Sequence, residues 1–281
     1  MANSEGHFIA WKNVIEADDV TFETAVEDQG DRVALNLKTT ESDDAWRFPV
    51  ATGATSATVT AVLTADKTIE LLTTQFPRFE YPGVSEDMPN IATTDTIRYR
   101  LLDSADVELH DSTVLTASDV LPGYMFHYYR PSSPVSGVRK IELTVDAVSR
   151  ETLDDAFKFC DVGYLGAWEQ LLEPDVGYAY PAGFGWPPRN ENARTATGRL
   201  YSARFEPYRK WSLALDFLSN AESLNVDEMI RYTGGGRQMM VRRGDLPAGK
   251  DGMLAIVTTP RDMESRTGTI RQQSFTFNEF I

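Results

Sequence analysis

The 281-residue chain has one cysteine, Cys160, and three histidines, His7, His110 and His127. It has no apolar run near the ~20 residues that a membrane-crossing helix needs. A lone cysteine excludes an intrachain disulfide and points to a chain made, folded and assembled in a reducing cytoplasm. The opening Met1-Ala2-Asn3-Ser4-Glu5-Gly6 has neither the basic start nor the apolar stretch of a secretory leader, so none is expected. The histidines stand singly, with no H-E-x-x-H and no paired Cys/His spacing for zinc. The G-x-S-x-G elbow of serine hydrolases is absent. Gly234-Gly235-Gly236-Arg237 follows a helix pattern, whereas a phosphate-cradling loop precedes one, so these glycines read as a helix stop. No catalytic, cofactor-binding or metal-ligating residue is assigned, and the chain is not expected to be an enzyme.

Basic residues are also scarce: 27 Lys+Arg against 42 Asp+Glu, a net charge of −15. Such a balance argues against nucleic acid or an anionic membrane surface as partner, since phosphates need basic clusters. The deficit is uneven. Residues 1–160 hold 27 acids against 13 bases, and residues 161–281 hold 15 against 14. A jump of that size points to two modules with different neighbours. Of the 14 bases in the second part, 12 are arginines, whose planar fork suits interfaces.

What the chain has in quantity is short β pattern, so the fold class expected is mainly β. Thr55–Leu63 alternates small polar residues with Ala57, Val59, Ala61 and Leu63. Thr68–Thr74 follows a turn at Ala65-Asp66-Lys67. Thr96–Leu102 and Val107–Asp111 flank Asp103-Ser104-Ala105-Asp106, a hairpin loop. Val138–Val145 sets Val138, Ile141, Leu143 and Val145 against Arg139, Lys140, Glu142 and Thr144. Turn signals at this spacing predict a β-sandwich over residues 1–160. Its one helical candidate is Glu151–Phe159. Within Tyr124–Arg130 the rings either fill the sandwich or stack on sugar faces; Tyr124, His127 and Tyr129 are the glycan-contact candidates.

Residues 161–281 read as a second β module. Its elements are a strand pair Leu200–Phe205 and Lys210–Leu218, a helix over about Glu222–Tyr232, and a terminal strand Gln272–Phe280. Between them and the first module lies a stretch at 174–197 rich in proline, glycine and aromatics, predicted as a long loop because proline removes donors and fixes φ. Loops of that length are functional or serve assembly. Tyr178, Tyr180, Phe184, Trp186, Arg189 and Arg194 are its subunit-interface candidates, aromatic and arginine side chains being favoured at protein interfaces.

The runs Trp11-Lys12-Asn13-Val14-Ile15, Ala34-Leu35-Asn36-Leu37 and Trp46-Arg47 resemble the start of a module in tail proteins of tailed bacteriophages, itself similar to the galactose-binding-like jelly roll. Val138–Asp146 resembles the late strand of that module, and Asp161-Val162-Gly163-Tyr164-Leu165-Gly166 its exit. Gly198-Arg199, the glycine-stopped helix, Met239–Arg242 and the Phe-rich terminal strand resemble the small β-barrel-plus-helix module of distal-tail proteins. The resemblance implies a jelly-roll-type sandwich followed by a β-barrel or sandwich module with one short helix. It also implies a structural role in a virion tail tip or baseplate, as a cyclic oligomer contacting tube, hub and tape-measure proteins. A carbohydrate-binding host-adsorption module, or a capsid decoration protein, is the alternative. Sandwich modules of the resembled kind sometimes carry a structural calcium, and Asp103, Asp106 and Glu108 are the oxygens close enough in sequence to consider, without the D-x-D-x-D-G order of a calcium loop.

Overall fold

Period-2 hydrophobicity becomes paired strands wherever one face can be buried, and the first half does so repeatedly. A computed structural model describes residues 6–16, 20–26, 30–38, 45–76, 91, 92, 94–116, 126–154, 157–174, 179–185, 190–194, 200–204, 209–234, 236–244, 246, 251–257, 264–267 and 270–279. For 179–185, 190–194, 200–204, 216, 217, 264–267 and 270–272 the description is of backbone alone. The strands up to Leu172 are β1 (Phe8–Asn13), β2 (Thr21–Thr24), β3 (Trp46–Pro49), β4 (Ser56–Ile69), β5 (Leu71–Gln75), β6 (Thr96–Leu102), β7 (Glu108–Asp111), β8 (Leu115–Thr116), β9 (Phe126–Tyr129), β10 (Val135–Asp146), β11 (Phe159–Val162) and β12 (Tyr164–Leu172). After it come β13 (Ala179–Gly185), β14 (Asn190–Arg194), β15 (Leu200–Arg204), β16 (Lys210–Leu218), helix α1 (Asn220–Thr233), β17 (Gln238–Arg242), β18 (Gly252–Val257), β19 (Glu264–Thr267) and β20 (Ile270–Glu279). The protein is mainly β, with one described α-helix.

Two units divide the chain: Ala10–Leu171 with Arg243–Gly252, and Gly6–Ile9 with Leu172–Arg242 and Met253–Ile281. The first is a β-sandwich. One antiparallel sheet runs β2-β4-β10-β6-β7, with β8 also on β6; facing it lie β12-β5-β9 and the pair β3-β11. The core between them is built from alternate residues. Val59, Ala61 and Leu63 of β4, Ile97, Tyr99 and Leu101 of β6, and Ile141, Leu143 and Val145 of β10 meet Trp46, Phe48, Leu72, Cys160, Val162, Leu165 and Ala167. The turn expected at Ala65-Asp66-Lys67 is instead a bulged stretch within one long strand. Register shifts opposite it in β10, at a Gly137 with φ +80°, let the chain bend without breaking the ladder. The helix expected over Glu151–Phe159 does not form among the described residues; a 3-10 turn at Val148–Arg150 leads into β11. Its backbone is held instead by Asp95, which accepts from the Ser149 amide and hydroxyl, each at 2.7 Å.

Gly166 in β12 is required by its neighbours. A Cβ there would lie 2.3 Å from Thr73 Oγ1 and 3.0 Å from both Trp168 Nε1 and Tyr164 Cε1. The close approach lets the Trp168 indole donate to Thr73 Oγ1 at 3.0 Å.

The second unit orders its strands β13-β16-β20-β18-β17, with β19 beside β20. Trp211, Leu213 and Leu215 of β16 and Phe275 and Phe277 of β20 are buried, so the terminal aromatic strand is a paired one; Phe280 lies outside the described residues. Ser219 and Glu222 form a reciprocal capping box on α1, and Gly234 takes the C-cap position. The positive φ falls two residues later, on Gly236. Two expectations need correction. The strand at Leu200–Arg204 pairs with β14, not with β16. The stretch 174–197, expected as a loop, contains β13 and β14. Pro181 is accommodated because β13 pairs only with β16 among the described residues and its register slips between Ala179 and Gly183, where a missing donor costs no ladder bond.

Candidate functional site

Strand β9 brings His127 and Tyr129 to the rim of the first sandwich. It lies beside β5, with Thr74 opposite His127 and Leu72 opposite Tyr129. The period of two turns His127, Tyr129, Leu72 and Thr74 toward the facing sheet, where Tyr99 of β6 meets them. The Tyr99 hydroxyl donates to Thr74 Oγ1 at 2.7 Å and lies 3.0 Å from His127 Nδ1. From β7, His110 adds the outer end: its Nε2 lies 2.9 Å from the Tyr129 hydroxyl. The four rings form one row, His127–Tyr99 at 5.7 Å, Tyr99–Tyr129 at 6.1 Å and Tyr129–His110 at 5.8 Å between centroids, each pair stacked.

The row runs from inside to outside. His127 is 2% exposed and Tyr99 fully buried, whereas Tyr129 and His110 are half-buried. Burial alone lowers His127 to about 4, so it is neutral at pH 7, and burial raises Tyr99 far above its ordinary value. Burial also raises Tyr129, with the Asp111 carboxylate adding to it. The accessible end of the row presents a phenol and an imidazole with their edge polar atoms.

The opposite face of the same strands carries charge that is already matched. Arg98 grips Asp111 with two nitrogens, Arg100 pairs with Glu108 and Glu142 at 2.8 Å each, and Lys140 pairs with Asp106 at 2.5 Å. The hydrogen bond from Arg98, opposed by partial burial and helped by the Thr113 amide, lowers Asp111. Thr113 beside it adopts φ +60°, an uncommon conformation for a β-branched residue, held by its amide donating to Asp111 Oδ1 at 2.9 Å. The carboxylates considered for calcium are engaged as well. Asp103 accepts from the Ala105 and Val107 amides at 2.8 and 2.9 Å, Asp106 holds Lys140 and Glu108 holds Arg100. Among the described residues no group of three His, Cys, Asp or Glu side chains could hold a metal.

Two further polar clusters are closed. Asp161, fully buried, receives Arg47 through Nε and Nη2 at 2.7 Å each and Arg32 at 3.0 Å, while the Arg47 guanidinium lies 3.7 Å above the Phe159 ring. Asn13 donates to the Tyr164 hydroxyl at 2.5 Å and accepts from the Ile15 and Ala167 amides. In the second unit Arg209 and Glu279 pair at 2.5 Å while nearly buried, tying the start of β16 to the end of β20.

Of the glycan-contact candidates, Tyr129 reaches the surface, His127 is enclosed behind it and Tyr124 lies outside the described residues. Among the interface candidates, Tyr178, Trp186 and Arg189 also lie outside them. Tyr180 and Phe184 fall in β13 and Arg194 in β14, with no side-chain description. The sequence reading missed His110 and Tyr99. The register that sets His110 opposite Leu101 places both on the core side of β6 and β7, a pairing that alternation within either strand alone does not reveal.

No family model matches the chain, and no curated protein matches it. Similar solved structures include a GH29 fucosidase of Ruminococcus gnavus in complex with fucose, at 14% identity and TM-score 0.38 over 57% of this chain. They include also the family 32 carbohydrate-binding module of Clostridium perfringens NanJ in complex with galactose, at 10% identity and TM-score 0.39 over 57% of this chain and 99% of that one. A third is a fucose-binding module of Streptococcus pneumoniae, at 8% identity and TM-score 0.37, covering 57% and 96%. The chain spans only 27% of the fucosidase. Likenesses this distant carry no inference about ligand or activity.

Proposed function

We propose that the chain is a non-catalytic binding protein whose first unit holds a neutral carbohydrate against Tyr129 and His110. The observation that carries this reading is the half-buried Tyr129–His110 pair at the sandwich rim. A stacked pair of aromatic rings there carries a phenol hydroxyl and an imidazole edge, joined at 2.9 Å. An apolar ring face with a few placed polar edges suits a sugar, whose own faces alternate between C–H and hydroxyl. On the opposite side of the sheet Arg98, Arg100 and Lys140 are each paired with a carboxylate, which disfavours phosphate or nucleic acid as ligand there. The test is binding of the whole chain to a panel of immobilised glycans. Saturable binding displaced by free sugar is expected; binding that no free sugar displaces would overturn the reading.

A second reading, the ring-forming component of a phage tail tip, is favoured by one feature of the second unit. Among the described residues strand β13 is a sheet edge with an irregular register, and such edges pair readily with another copy. In this setting the sugar-holding unit serves adsorption. Images of purified tails lacking residues 179–194 are expected to show disrupted tips, and intact tips would remove this reading.

A further inference from the structure

We propose that His127 is an acid-operated latch: its protonation releases strand β9 from the sandwich rim and dismantles the Tyr129–His110 face. The latch regulates the surface assigned above to carbohydrate, and only its effect on binding rests on that assignment.

Three observations carry the inference. First, His127 is enclosed although it sits on a four-residue strand whose one described partner is β5. Apart from that ladder, Tyr128 on the face away from His127 ties β9 to the Asp251 carboxylate at 3.0 Å, and an element with so few ties belongs to the low-stability end of a sandwich. Second, among the described residues the surroundings offer an imidazolium no carboxylate to pair with. From β5 the facing group is Thr74, and Leu71–Gln75 contains no charged residue. From β6 the facing group is Tyr99, while Arg98 and Arg100 point to the other side of the sheet, where Asp111, Glu108 and Glu142 hold them. From β9 itself Tyr129 stands two residues away, and from β7 His110 lies at the far end of the ring row. No carboxylate faces His127 among the described residues. Third, His127 is the inner end of the row that positions Tyr129. With the Tyr99 proton given to Thr74, the neutral ring donates from Nδ1 to the Tyr99 oxygen, and the stack at 5.7 Å completes the seat.

The direction of the effect follows from linkage. Enclosure lowers His127 from the ordinary 6.5 to about 4, by burial alone. Well above pH 6.5 neither the closed nor the open form is protonated, and the closed form keeps its full advantage. Between 6.5 and about 4 the open strand takes up a proton that the closed one refuses, so opening gains with each step of acidification. From pH 7 to pH 5 the opening equilibrium rises about twentyfold.

Hydrogen exchange of the full chain, read by mass spectrometry at pH 7 and pH 5 and corrected for intrinsic rates, tests the latch without any ligand. The expected result is exchange about twentyfold faster over Phe126–Tyr129 at pH 5, with β4 and β10 unchanged, and no such gain in His127→Gln. Tyr99→Phe, which keeps the stack and removes the hydroxyl, is expected to speed the same amides at pH 7 while preserving their pH dependence. The latch is overturned by an equal gain in His127→Gln, by the absence of a gain in the native chain, or by equal acceleration across β10, which would mean global unfolding. Absence of sugar binding at pH 7 would remove the carbohydrate reading and leave these exchange results standing.

Discussion

At the scale of single residues, burial decides which groups remain available for chemistry. Cys160 is enclosed in the core of the first unit, and burial pushes its thiol far above the range in which a thiolate forms. It is expected to resist alkylation in the native protein and to react at once in denaturant, so labelling reports unfolding of this unit. Asp161 is equally enclosed but charged, and Arg47 and Arg32 make that tenable. Asp161→Ala leaves two guanidinium groups beside a cavity, partly rescued by their own access to water. A loss of about 3 kcal/mol in denaturant-measured stability is expected, near the lower end for breaking a buried pair. Neither residue was readable as structural from the sequence, because a lone cysteine and a lone aspartate look alike whether buried or exposed. Their roles come from partners over 100 positions away, such as Arg47 across from Asp161.

At the scale of elements, the local signals were legible where local physics decides. The helix was visible over about Glu222–Tyr232 by its glycine stop, and its start is fixed by Ser219 and Glu222 bonding each other's backbone amides. Ser219→Ala is expected to cost about 1 kcal/mol in the second unit's stability, measured by denaturation. The β6–β7 hairpin and the central strand β10 were also readable, since alternation and a short polar turn specify both. Pairing was not. Leu200–Arg204 was expected beside Lys210–Leu218, yet it joins Asn190–Arg194. Both partners are the sequence neighbours of this strand, and alternation within it does not say which of two adjacent hairpins closes. Likewise, proline and glycine between 179 and 185 signalled a loop, whereas an edge position makes the same residues compatible with β13.

At the scale of the whole molecule, the excess of acid in residues 1–160 is partly absorbed on the outer face of one sheet, where Arg98, Arg100 and Lys140 bind Asp111, Glu108, Glu142 and Asp106. That pairing leaves the rim, with Tyr129 and His110, as the aromatic part of an otherwise charged unit. The candidate site was half legible: Tyr129 was named from the aromatic run, but its partners sit on strands 19 and 30 positions earlier in the chain and become neighbours only through the sandwich. The most direct test is sugar binding by calorimetry at pH 7, using a ligand selected from a glycan panel, in the native chain and in Tyr129→Ala, Tyr129→Phe and Arg139→Ala. The account expects a loss of at least about tenfold for Tyr129→Ala, a smaller loss for Tyr129→Phe and no change for Arg139→Ala, which lies on the other face. Equal affinity in the native chain and a folded Tyr129→Ala protein would contradict it.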